Sequence, residues 1–159
     1  MLRVEGVLVR GLTALLTAAF GLIFALVVLL VVLRYGFNRT IVGGAETTVI
    51  LFIYTTALGA SVDIARGRHI RIDSLIALLP GRLRNAIEML NVVLIGSLHA
   101  FLFFYSIEWI RVVGGSEDPV LHIPDGVAEV AIPIGCAFAV LFCVTRLVAL
   151  ALPARSGAG

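Results

Sequence analysis

Apolar residues in this chain do not alternate with polar ones; they run on. Gly11–Leu33 carries no charge for 23 residues and is bounded by Arg10 and Arg34. A second apolar run extends from about Gly44 to Val62, a third from Met89 to Ile107 between Glu88 and Glu108, and a fourth from about Val127 to Leu152. Each has about the 20 residues a helix needs to cross a hydrocarbon core roughly 30 Å thick. In lipid, backbone N–H and C=O groups must be hydrogen-bonded within their own segment, which makes these runs helices. The pattern predicts an all-α integral membrane protein, a single domain over residues 1–159, with four transmembrane helices at about 11–33, 44–62, 89–107 and 127–152.

The connection between the second and third spans has its own period. Ile72, Ile76, Leu79, Leu83, Ile87 and Leu90 recur at steps of three and four, the spacing of one apolar helix face. Pro80-Gly81 interrupts it. The expectation is an amphipathic helix from about Asp73, lying in the membrane interface, and a second helix that starts near Pro80 and runs into span three. The connection from Glu108 to Glu129 differs: five acids face the single Arg111, and Gly114-Gly115, Pro119 and Pro124 preclude one continuous helix. It reads as a structured turn region with an acidic surface.

Composition agrees with the pattern, since 60% of residues are hydrophobic and 14% charged, against about a quarter charged in a soluble domain. All twelve basic residues are Arg, and their placement orients the chain. Arg3, Arg10, Arg66, Arg68, Arg71, Arg82, Arg84, Arg146 and Arg155 fall at the termini or between spans two and three, against Arg34, Arg39 and Arg111 elsewhere. By the positive-inside rule both termini and the interfacial helix are cytoplasmic. The uncharged N-terminal run is too long for the apolar part of a signal peptide. No basic arm or aromatic-interleaved patch points to nucleic acid.

Candidate chemistry in the spans is sparse. Cys136 and Cys143 are seven residues apart, about 10 Å along a helix, beyond the reach of a disulfide. No Cys/His cluster offers a metal site, and no catalytic or cofactor-binding constellation is visible. Glu46, at the outer end of span two, is expected to pair with Arg34 or Arg39. His99, in the middle of span three, reads as a hydrogen-bonded packing residue, and Asn91, Thr55 and Thr56 as interhelical hydrogen-bonding groups. Small residues recur at helical spacing: Thr17, Gly21 and Ala25; Thr55 and Gly59; Gly135, Ala139 and Cys143. Such stripes let helix backbones approach closely in lipid, which marks Gly21, Gly59, Gly135, Ala139 and Cys143 as helix- or subunit-packing positions. Pro133 should bend span four.

The order of these features is similar to that of a known family. Arg34-Tyr35 and Phe37-Asn38 closing span one, Glu46 opening span two, Leu58-Gly59-Ala60 near its end, Arg66 to Asp73, Leu79-Pro80, Ile123-Pro124 and Ile132 to Gly135 resemble the DctQ-like small membrane subunit of tripartite ATP-independent periplasmic (TRAP) transporters. The stretch holding Arg68, His69 and Asp73, a cytoplasmic interface motif, carries the resemblance most specifically. Gly43-Gly44-Ala45 departs from it, since members usually have an aromatic residue and often a second acid there. The resemblance implies a non-enzymatic scaffold in the bacterial inner membrane, bound to lipid and to a large membrane subunit that carries the solute and sodium sites. A periplasmic solute-binding protein would touch the assembly transiently and deliver an organic acid. The rival class is a membrane-anchor subunit of a quinone-linked oxidoreductase, which would use His99 as a haem or quinone ligand. A small drug exporter would need a carboxylate deep in span one, and there is none from Gly11 to Leu33.

Overall fold

Each apolar run becomes a helix, and most of the helices overshoot the hydrocarbon stretch that marked them. The computed structural model describes residues 3–66 and 81–151. Its helices are α1 (Arg3–Gly36), α2 (Gly44–Arg66), α3 (Gly81–Val113), α4 (Gly126–Glu129) and α5 (Ala131–Ala151). Gly6–Gly36, Gly44–Arg66, Leu83–Val113 and Gly126–Leu150 are long and apolar enough to cross a membrane. Helix α3 is described from Gly81 onward, and the predicted break at Pro80 lies outside the described residues. Both α3 and α1 extend past the expected limits because charged residues close to a span end stay helical: Arg10, Glu88, Glu108 and Arg111 all lie inside helices. The interfacial helix expected from Asp73, and the motif residues Arg68, His69 and Asp73, lie outside the described residues.

The ends of the helices follow from local chemistry. Asn38 takes φ 49°, a left-handed conformation that Asn tolerates, and Arg39 N–H donates back to the Leu33 carbonyl at 3.0 Å. Gly43, at φ 79°, turns the chain into α2, where Thr47 Oγ1 donates to the Gly43 carbonyl at 2.8 Å. In the fourth span the helical pattern is interrupted at Val130, between α4 and α5. Pro133 has no N–H for the Glu129 carbonyl, so the interruption falls in the turn before the proline.

Packing places α5 between α2 and α3, with α1 laid against α2. The helices form a row, α1, α2, α5, α3, in which the last span in the sequence is central. Burial follows the same order. Fully buried positions concentrate on α5, where Ala131, Ala139 and Phe142 are each 1% exposed, while α1 and α3 turn Phe20, Phe24, Phe101 and Phe104 outward. An apolar exterior of this kind is a liability in water and the required surface in lipid. The core is small: Val62, Ile64 and Ala65 of α2, Val92 of α3, and Ala139, Phe142 and Cys143 of α5, joined by Val9 of α1.

Candidate functional site

A chain with so few polar groups at depth has its candidate sites where helices touch and where charge gathers at their ends. Between α2 and α5, a Cβ added to Gly135 would lie 2.8 Å from the Ala57 carbonyl oxygen, so the two backbones meet there. One turn on, Ala139 is 1% exposed and Cys143 2%. The other side of this seam is Gly96 of α3, whose added Cβ would come 3.3 Å from Cys143 Cβ. The Gly135, Ala139 and Cys143 stripe is therefore internal. Gly21 and Gly59 are placed differently: nothing lies within 4 Å of a Cβ at either position. Both cysteines are free and buried. Gly96 was not singled out in the sequence, although Gly96 and Ala100 stand at the same small-xxx-small spacing.

The end of the bundle formed by the 37–43 and 114–125 connections is knitted by glycines. A Cβ at Gly43 would meet Leu121 Cδ2 at 2.6 Å, and one at Gly44 would meet Leu30 Cδ2 at 2.6 Å. These are the positions that depart from the usual family pattern, and the structure uses their lack of side chains for close approach. Gly126 N–H donates to the Gly114 carbonyl at 3.1 Å, and a Cβ at Gly126 would lie 2.9 Å from that oxygen. Between them the acidic connection is a defined turn. Asp118 Oδ1 accepts from the Leu121 amide at 2.7 Å and the Val120 amide at 2.8 Å, and these bonds hold its carboxyl below the usual carboxylate range. Because that value is depressed by folding, the turn gains stability above the unfolded value and loses it only as pH falls through the lower folded one.

Two bonds tie this end across helices. Trp109 Nε1 of α3 donates to Glu129 Oε1 at 3.0 Å, and Tyr54 Oη of α2 donates to the Val127 carbonyl at 2.7 Å. The second oxygen of Glu129 is buried without a hydrogen-bond partner among the described residues. Glu46 borders a cleft of about 270 Å³ together with Asp118 and Asp125. Arg34 lies 5.9 Å from the ring centre of its neighbour Tyr35, and among the described residues no ion pair joins Glu46 to Arg34 or Arg39.

At the opposite end, Arg146 Nη2 of α5 donates to Glu88 Oε1 of α3 at 2.6 Å, with side chains 24% and 17% exposed. Arg66 of α2 donates to Thr13 Oγ1 of α1. The partners of Arg146 and Arg66 lie 58 and 53 positions away in the sequence, so no local pattern pairs them. Of the polar groups at depth, Thr55 and His99 bond within their own helices. Thr55 Oγ1 donates to the Leu51 carbonyl at 2.7 Å, and His99 Nδ1 lies 2.8 Å from the Ile95 carbonyl. Among the described residues no group of three His, Cys, Asp or Glu side chains is placed to hold a metal ion.

Comparison with known proteins supplies the context. The family model for tripartite ATP-independent periplasmic transporters, DctQ component, matches residues 23–152. A C4-dicarboxylate TRAP transporter small permease protein, DctQ, from Vibrio cholerae serotype O1 is 39% identical over 62 residues, which cover 39% of this chain and 27% of that protein. The aligned stretch thus spans about a quarter of the relative's length. The family match is far more extensive, running from inside α1 to the residue after α5 and taking in the seam, the acidic turn and the Arg146–Glu88 pair. This four-span membrane protein therefore belongs to the DctQ family, the small permease component of TRAP transporters.

Proposed function

We propose that the chain is a non-transporting scaffold subunit. It braces the large membrane subunit of a TRAP-type system in the bacterial inner membrane for sodium-driven uptake of an organic acid delivered by a periplasmic binding protein. The C4-dicarboxylate named for the Vibrio cholerae relative belongs to that solute class. The observation that carries the reading is where charge lies. Carboxylates and guanidinium groups of the described spans sit at the two ends, tied as Arg146–Glu88, Arg66–Thr13 and Trp109–Glu129. A conducting or coupling bundle keeps ionisable groups facing one another at depth. The spans of this chain hold no Asp, Glu or Arg in their middle turns. The family match favours this reading over an oxidoreductase anchor.

Deleting the chain from the assembled system should abolish solute uptake, and proteoliposomes containing the chain alone should accumulate no labelled dicarboxylate. Accumulation by the chain alone would overturn the scaffold role. Orientation is tested separately. With Cys136 and Cys143 replaced by Ala, single cysteines at Gly81 and Gly115 should react with an impermeant thiol reagent from opposite faces, Gly115 from the periplasm. Labelling of both from one face would defeat the model in which both termini are cytoplasmic.

A further inference from the structure

Helices α2 and α3 both pack on α5 without closing over one side of it. A cavity of about 370 Å³ opens there, bordered by Gly135 and Cys136 of α5, Thr56, Ala57 and Ala60 of α2, and His99 of α3. Helix α1 contributes nothing to the lining. Thr56 is twelve residues into α2 and His99 fourteen from the end of α3, which places them about 18 and 21 Å along their helices from the loop-bearing end. Both are near the middle of a hydrocarbon core roughly 30 Å thick.

Thr56 differs from the other hydroxyls of the described spans. Every other Ser and Thr hydroxyl of the described spans, Thr55 and Ser61 included, donates to a backbone carbonyl three or four residues back. Thr56 makes no such bond. His99 is half spent: the Ile95 carbonyl only accepts, so Nδ1 donates to it, and in the tautomer with its proton on Nδ1 the Nε2 atom is an acceptor with no partner among the described residues. An acyl chain filling the cavity satisfies neither group, because hydrocarbon has no donor or acceptor. A transmembrane helix bearing a hydroxyl or amide side chain satisfies both. Gly135, Ala57 and Ala60 are small enough for its backbone to come close.

We propose that this cavity is the seat of a transmembrane helix of the large membrane subunit, which brings a hydrogen-bond donor to His99 Nε2 and a partner to the Thr56 hydroxyl. The inference rests on the scaffold reading above and adds to it the face that is used. Its test is the complex of the full chain co-expressed with the large subunit of its own system. The photocrosslinker p-benzoylphenylalanine replaces Phe52 or Leu102, which border the cavity, or Phe24 on the outer side of α1 as the control. Cavity positions should crosslink to the large subunit, and Phe24 should not. His99→Leu and Thr56→Val should each lower recovery of the large subunit about three- to tenfold, the range for hydrogen bonds between membrane helices. His99→Gln, which keeps an acceptor near the Nε2 position, should restore it. If the complex forms but the cavity positions crosslink only to phospholipid or to a second copy of this chain, the inference fails and the scaffold reading stands. If the wild-type chain does not co-purify with the large subunit at all, the scaffold reading fails and takes the inference with it.

Discussion

Gly135→Val should be among the most disruptive single substitutions in the chain, lowering stability by about 2–3 kcal/mol, as overpacking in a close-packed interior does. Even the first added carbon would lie 2.8 Å from the Ala57 carbonyl oxygen and 3.0 Å from its carbon. Those are backbone atoms of α2, so no rotamer change relieves the clash. The two helices must part, and packing is the main attraction between helices in lipid. Ala139→Leu, at a position 1% exposed, should behave similarly: the chain should unfold, not merely release a partner. Gly21→Val, with nothing within 4 Å, and Leu141→Phe, at a position 49% exposed, should each stay within about 0.5 kcal/mol of the wild type. Thermal melts in detergent, followed by the fluorescence of Trp109 and by gel filtration, would decide it. A Gly135→Val protein that melts with the wild type would mean that α2 and α5 do not meet there.

Breaking the Arg146–Glu88 pair should cost about 2–3 kcal/mol per single substitution. Removing one member of a fully buried pair costs about 3–5 kcal/mol because the remaining charge is stranded; side chains 24% and 17% exposed recover part of that from water or headgroups. Arg146→Met with Glu88→Leu should be less harmful than the two single changes added together, with a coupling energy of about 1–2 kcal/mol. Strict additivity in that cycle would show that the contact contributes nothing of its own.

Comparing these two sites shows what a membrane sequence discloses. Hydropathy reports where a chain meets hydrocarbon, and it located all four spans; it is silent on where hydrogen bonding stops, so Glu108 and Arg111, which pair within α3 at 3.2 Å, looked like loop residues. Helical spacing reports which residues share a face, not whether another helix covers that face. Gly135, Ala139 and Cys143 meet neighbours, whereas a Cβ at Gly21, on an equally regular stripe, would meet nothing within 4 Å among the described residues. The partners of Arg146 and Trp109 depend on the relative register of α3 with α5 and with α4, a three-dimensional quantity with no local signature. Thr55 and His99 bond to their own backbones because a carbonyl one turn back is always within reach, whereas an interhelical partner requires two helices to agree in depth and rotation.

The position of α5 in the row bears on how the protein is made. Chains enter the membrane from the N-terminus onward, and the helix in contact with both α2 and α3 follows both of them in the sequence. Until Gly126 and the residues after it are inserted, α1 and α2 can form a hairpin, but α3 lacks the neighbour that covers Val92 and Gly96. A nascent chain halted in the acidic turn would expose the Gly96 face to lipid or to quality-control proteases, and the bundle would form only when the final span slides between its two predecessors.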